Sequence, residues 1–459
     1  MENITIEACA AEGKALTHWN GVVVFVPFAV PGDVVDIRVT KKSKNYYEGF
    51  IERIVTPSKD RLEPFCQHFG VCGGCKWQPL PYPMQLEAKR QQVYDQLVRI
   101  GHLNVPEIRP TIPSDKIQYY RNKLEFTFSS KRWLLKDEDI ESVPENDRMG
   151  LGFHVGKFFD KVLDIKHCYL QKDPSNDIRL FIKKYAVENG LDFFDIRQNV
   201  GYVRNMFIRT TGTGDLMVIM CFFYENREDR EKMLDAIAEA FPQITSLYYI
   251  INNKLNDSIG DQECILYKGE PTIRETMENL TFRIGPKSFY QTNSEQAYKL
   301  YSVARDFAEL TGNEIVYDLY TGTGTIAQFV SGKAAKVVGI EYVPEAIEDA
   351  KVNAAGNGIT NCEFFAGDMK DVLSRDFIEE HGQPDVIILD PPRAGIHPDV
   401  AKVILEASPA RMVYVSCNPA SQARDLALFA DKYEITAVQP VDMFPHTQHV
   451  ENVCALRLR

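Results

Sequence analysis

From about residue 283 to the end, short apolar segments alternate with helix-patterned ones: "EIVYDLY", "KVVGIE", "PDVIILD", "ARMVYVS" and "CALRLR". These segments are apolar almost throughout, as strands buried on both faces must be. Strands of that kind separated by helices predict an α/β fold with a doubly wound parallel sheet. Such a sheet binds its ligand outside the carboxyl ends of its strands. The residues that close those strands are therefore the first candidates for chemistry.

The rest of the chain reads differently. Residues 1–58 hold β-branched runs, "GVVVFVPFAV", "VVDIRVT" and "YYEGFIERIV", broken by Gly and Pro, which predict a small β-barrel. Residues 59–282 mix strand-like "KLEFTFS" and "MFIRTT" with helix-like "REDREKMLDAIAEAF", a mixed α+β central domain. In "YPMQLEAKRQQVYDQLVRI" the spacing of Leu86, Val93, Leu97 and Ile100 predicts a helix. Residues 283–459 form the third domain.

A net charge of -12 excludes a protein coated in cations for nucleic acid, so any such contact must be local. Arg38, Lys41, Lys42 and Lys44 fall together without an acid. Lys116 to Lys136 carries six cations, Arg121 and Lys123 among them, against the single Glu125. The acidic "DEDIESVPENDR" that follows is expected to face away from a polyanion. No run approaches the roughly 18 apolar residues needed to cross a bilayer, and the chain opens without a leader pattern, so a cytoplasmic protein without a membrane partner is expected.

In "DLYTGTGT" a strand enters a turn in which Gly322 and Gly324 allow close backbone approach to a ligand. Tyr320 precedes the turn, and Glu341 ends the next strand, where a carboxylate can accept ribose hydroxyls. Gly322, Gly324 and Ala327 also satisfy a loose dinucleotide pattern, so a nicotinamide cofactor is the competing reading. Asp368 in "FFAGDM" and Asp390 in "LDPPRAG" close the next two strands. Cys417 in "SCNPA" ends another, in a polar turn that suits a nucleophile. His446, His449 and Glu451 stand just before the last strand. Glu451 borders apolar sequence, where burial raises a carboxylate toward a useful base.

Further upstream, Cys66, Cys72 and Cys75 lie as C-x5-C-G-G-C. In a reducing compartment such a cluster binds zinc or an iron-sulfur centre. His68 lies within the loop and is read as a bystander.

Taken in order, C-x5-C-G-G-C, "FYQTN", "DLYTGTGT", "DPPRAG", "SCNPA" and "HTQHVE" resemble the RNA uracil-5-methyltransferases, over nearly the whole chain. Thr321 departs from the pattern, since many members have cysteine there. The resemblance implies a class I methyltransferase sheet, an amino-terminal TRAM domain, which is OB-like, and S-adenosylmethionine as cofactor. It implies Cys417 as the nucleophile at uracil C6 and Glu451 as the base at C5. Gln291, Tyr320, Gly322, Gly324, Glu341, Asp368 and Asp390 would line the cofactor and uracil pocket. It also implies Cys168 as a fourth ligand to a [4Fe-4S] cluster, with zinc as the alternative. The x5 spacing and four available cysteines argue against radical chemistry, so the cluster is expected to be structural. The expected partner of this monomer is RNA, 23S rRNA first and tRNA second. Arg38, Lys41, Lys42, Lys44, Arg121 and Lys123 are the expected grips. A non-catalytic RNA-binding assembly factor and an exocyclic-amine methyltransferase are the competing functions.

Overall fold

The computed structural model describes residues 1–459 except 136, 137, 140 and 157. Lys136 of the basic segment, and Asp137 and Ile140 of the acidic one, thus lie outside the described residues. No described helix is long and apolar enough to cross a membrane.

A six-stranded sheet opens the chain. Strand Val34–Lys42 is buried in its first half, at Val35, Asp36 and Ile37, and exposed in its second, at Arg38, Lys41 and Lys42. Val35 and Ile37 pack with Val24 and Val26 of the neighbouring strand Val22–Pro27. Gly49, on the paired strand Tyr46–Thr56, has no room for a Cβ, which would stand 2.6 Å from Ile37 Cγ2.

Next comes a seven-stranded mixed sheet whose middle strands are Val203–Thr210, Leu216–Phe222 and Lys123–Ser129. Helices Ser175–Glu188 and Arg227–Ala240 cover it, burying Ile178, Ile182, Met233 and Leu234. The hairpin Ile273–Met277/Leu280–Ile284 then leads toward the last sheet. Its backbone is held there by Asn353, whose Oδ1 accepts from Arg283 N at 2.8 Å.

The last sheet has seven strands, numbered here β1 Ile315–Leu319, β2 Lys336–Glu341, β3 Cys362–Ala366, β4 Val386–Leu389, β5 Arg411–Ser416, β6 Tyr433–Val441 and β7 Glu451–Leu458. Their spatial order is β3-β2-β1-β4-β5-β7-β6. Strands β1 to β5 run parallel, and β7 inserts antiparallel between β5 and β6. Order reverses between β1 and β4, which opens a crevice at their carboxyl ends. Two apolar layers, one around Val316, Ala327 and Ile388 and the other around Leu319, Ile387 and Ile404, sandwich the sheet.

Helix Tyr82–Tyr94 forms as the spacing predicts, and Val93 and Leu97 are fully buried. Ile100 departs from that reading and is 64% exposed. The segment Asp95–Ile100 is a π-helical turn, whose wider winding carries the last position off the apolar face.

Candidate active site

The crevice is built from strand ends. After β1 the backbone turns sharply, with Tyr320, Gly322 and Gly324 all at positive φ of 67°, 56° and 72°. The two glycines differ in kind. A Cβ on Gly324 would press on Phe364 at 2.8 Å and Ala350 at 2.9 Å, whereas one on Gly322 would meet nothing within 4 Å. Gly324 thus serves packing, and Gly322 leaves open space where a ligand can approach. Glu341, at the end of β2, accepts from Gly322 N at 3.1 Å through Oε2 and from Val343 N at 3.1 Å through Oε1. Its carboxylate is held at the mouth of the turn beside the exposed ring of Tyr342.

Asp318 was not singled out by the sequence reading, although it stands in the quoted "DLY". It is fully buried, accepts from Thr321 Oγ1 and Ala327 N, and leaves Oδ1 without a partner. Burial pushes it up to about 7. It braces the turn from below, from a protein-facing position. Asp368 caps the short helix Met369–Val372, accepting from Lys370 N at 3.2 Å. Asp390, just past β4, is raised to about 7 by burial and then by Asp318. Gln291 is anchored through its carbonyl, which accepts from Asn122 Nδ2 at 2.8 Å.

Cys417 and Glu451 meet through register. Ser416 on β5 pairs with Asn452 on β7, so the next antiparallel step sets Cys417 opposite Glu451. Asn418, two residues past β5, caps helix Pro419–Phe429, turning the chain so that the thiol sits half-buried at the rim. Burial, then Glu451 and Asp390, pushes the Cys417 thiol up to about 11, while Arg393 pulls it down. Glu451 is only 6% exposed, and burial followed by Asp390 raises it to about 8, again opposed by Arg393. Arg393 is thus a cation shared by Cys417 and Glu451. It donates to His449 Nδ1 at 3.3 Å, and the Asn418 side chain donates to its carbonyl at 3.1 Å.

His449 is pushed down to about 4 by burial and then by Arg393, so it stays neutral and serves as an acceptor. His446 is also held near 4 by burial, and its role is architectural. Its carbonyl accepts from Lys76 N at 2.8 Å and Trp77 N at 3.0 Å, and Gln85 Nε2 donates to its Nδ1 at 3.2 Å. The same loop, residues 442–450, is held by Asn293 on Met443, Tyr120 on Pro445, and Lys89 on Asp442 and Phe444.

Cys66, Cys72, Cys75 and Cys168 line one cavity of about 420 Å³, which Arg121 and His449 also border. Burial raises all four thiols, Cys75 to about 11 and Cys168 to about 12. Among the described residues, no three His, Cys, Asp or Glu side chains are grouped closely enough to hold a metal ion. A four-thiolate zinc site, with sulfurs about 3.8 Å apart around bonds of roughly 2.3 Å, is therefore not preformed. His68 is more than a bystander: its Nε2 accepts from Lys166 N at 2.8 Å and clips the cysteine loop to the strand leading to Cys168.

Of the cations expected to grip a polyanion, Arg38, Lys41, Lys42 and Lys44 are exposed. Arg38, Lys41 and Lys42 lie over Phe50, Tyr46 and Tyr47, which gives this face paired charge and ring. Arg121 rests on Phe444 and Lys123 on Phe207, both half-buried.

The sequence pattern of the tRNA (Uracil-5-)-methyltransferase family matches residues 207–459. The chain belongs to this family. It is accordingly an RNA methyltransferase with a class I fold, and a TRAM domain matches residues 2–51. Two relatives, each named an uncharacterized RNA methyltransferase, come from Porphyromonas gingivalis and Bacteroides thetaiotaomicron. The first is 59% identical, covering 97% of this chain and 98% of its own length. The second is 58% identical, covering 98% and 100%. Among solved structures, the Pyrococcus abyssi tRNA (uracil-54, C5)-methyltransferase in complex with S-adenosyl-L-homocysteine superposes with a TM-score of 0.76. It is 29% identical and covers 99% of this chain and 100% of that one.

Proposed function

We propose that this enzyme transfers a methyl group from S-adenosylmethionine to C5 of a uridine in structured RNA. The reading rests above all on the register that sets Cys417 against Glu451 at the carboxyl rim of the sheet. S-adenosylmethionine supplies an electrophilic methyl on its sulfonium. Gly322 gives it room, Glu341 offers acceptors for ribose hydroxyls, and Tyr320, Asp368, Asp390 and Gln291 line its surroundings. Cys417, having given its thiol proton to solvent, attacks C6 of uracil as thiolate, and the C5–C6 electrons move toward O4. C5 is then nucleophilic and takes the methyl, leaving S-adenosylhomocysteine. Glu451 removes the C5 proton, the C5–C6 double bond reforms, and the sulfur leaves as thiolate. Arg393 favours both anions, the attacking thiolate and the ionised base.

The division of labour in this reading follows three parts. Residues 1–58 grip RNA through Arg38, Lys41, Lys42 and Lys44, and residues 59–282 carry the cysteine cavity, which Arg121 borders, and add Lys123 as a further grip. Residues 283–459 perform the transfer. Cys66, Cys72, Cys75 and Cys168, which border one cavity, would supply four thiolates to a [4Fe-4S] cluster, with zinc as the alternative. Its role is structural: it ties the loop 66–75 to the segment of Cys168.

The first candidate substrate is 23S rRNA. The likeness to the Pyrococcus abyssi tRNA enzyme favours tRNA as a second reading. Mapping 5-methyluridine in both RNAs from a deletion strain separates them, and the reading fails if neither RNA loses a site. RNA carrying 5-fluorouridine at the target should trap a covalent adduct with the wild type and none with Cys417→Ala. An adduct in that variant would refute the nucleophile.

A further inference from the structure

One buried charge outside the reacting groups has no counter-charge of its own. Arg179, on helix Ser175–Glu188, is completely shielded from solvent. Its terminal nitrogens donate to the carbonyls of Ile165 and Lys166, the latter at 3.1 Å, and Nη2 donates to Asn176 Oδ1 at 3.4 Å. Its Nε has no partner, and its flat face lies over Phe126 at 5.5 Å. Among the described residues no carboxylate forms an ion pair with it. Asp164 is already engaged by Lys183 at 2.8 Å and Lys166 at 3.1 Å. A guanidinium is costly to bury in this state, since carbonyls satisfy its hydrogens and leave its charge unopposed.

The surroundings indicate where the opposing charge comes from. Asn176 Oδ1 also accepts from Cys168 N at 2.8 Å, and its Nδ2 donates to Cys168 O at 3.2 Å. Arg179 therefore stands one side chain away from the backbone of the fourth thiol in the cavity. Ile165, whose carbonyl it binds, lines that cavity too. A [4Fe-4S] core with four cysteine thiolates carries a net charge of about -2 when oxidised and about -3 when reduced. A negative charge in the cavity would oppose the charge of Arg179.

We propose that Arg179 is the buried counter-cation of the iron-sulfur cluster, retaining it in the cavity and favouring its more negative reduced state. The inference rests on the cluster reading above. It makes Arg179 a positioning residue whose effect is electrostatic and separate from methyl transfer.

The test uses the full-length protein reconstituted anaerobically with iron and sulfide. Wild type, Arg179→Lys, Arg179→Met and Arg179→Gln are compared by iron and sulfide content, rate of iron loss to a chelator, and midpoint potential under chemical titration. Circular dichroism identifies variants that keep the fold. The neutral variants should lose iron at least tenfold faster. Their oxidised-to-reduced ratio at fixed potential should rise about tenfold, a shift of about 59 mV to lower potential for a one-electron couple. Arg179→Lys should recover most of both effects, and if the neutral variants fail to fold it alone should stay near wild type. Folded neutral variants with unchanged potential and iron loss overturn the inference while leaving the cluster in place. A lysine variant as impaired as the neutral ones also overturns it. Wild type that takes up zinc or no metal, with no iron, overturns the cluster reading itself and the inference with it.

Discussion

Glu451→Gln should stabilise the protein, and the gain should grow with pH. Glu451 is 6% exposed, and its native value of about 8 lies far above the ordinary 4.5 because burial, then Asp390, disfavours the charge. Between those values the native carboxyl keeps a proton that the unfolded chain has lost. Native stability from this group is present in full below about 4.5 and is lost as pH rises to about 8, at roughly 1.4 kcal/mol per pH unit. Glutamine has nearly the same shape and does not titrate. Between pH 5.5 and 7.5 the variant should therefore gain about 2.7 kcal/mol on the wild type. For a unit of 150–250 residues that is roughly 5–10 °C in the melting temperature of the carboxyl-terminal part. Calorimetry of both proteins in matched buffers measures the gap, and Asp318 and Asp390 titrate in both. A gap that stays constant over those two pH units would refute the burial argument, and so would one that narrows.

Activity should move the other way: release of methylated RNA should rise with pH through about 8 as Glu451 ionises, while Glu451→Gln accumulates methylated RNA still bound to Cys417, visible on a denaturing gel. Gly322→Ala should fold with a small loss of stability from its positive φ and bind S-adenosylmethionine weakly in calorimetric titration. Gly324→Ala should lose about 2–4 kcal/mol of stability, because its methyl meets Phe364 and Ala350. Lys89→Met and Asp442→Asn should each cost about 3–5 kcal/mol by leaving one buried group unpaired, and the double variant Lys89→Met/Asp442→Leu should recover much of that in denaturant unfolding.

Strand ends were legible because a buried parallel strand announces itself by continuous apolar sequence and a polar stop. Glu341, Asp390 and Cys417 could be placed at the rim for that reason, and the exposed cations Arg38, Lys41, Lys42 and Lys44 were legible as a cluster without an acid. Helix Tyr82–Tyr94 shows where the signal ends. Its apolar spacing located the helix, but the buried face it defines also holds Gln85 and Lys89, whose polarity alone would have placed them in water. Lys89 is inside only because Asp442 meets it, and that partner lies 353 positions along the chain. Asp318 was passed over for a related reason, since burial turns an acid in a quoted motif into a brace. Cys168 was reached through resemblance alone. Its place on the same cavity as Cys66, Cys72 and Cys75 depends on the mixed sheet and on His68 bonding to Lys166.

The two halves of the active site are held in different ways. The turn after β1, Glu341 and Cys417 are positioned by strands of one sheet and by the helices those strands enter, so their geometry is local to residues 283–459. Glu451 begins β7 directly after a loop whose backbone is gripped from elsewhere, by Lys76 and Trp77 on His446, Tyr120 on Pro445 and Lys89 on Phe444. Lys76 directly follows Cys75, so the contact that fixes this loop continues from the cysteine cavity. Glu451 is thus set against Cys417 in part by segments that precede the sheet, so in the proposed reaction the central region would shape the geometry without supplying a reacting atom.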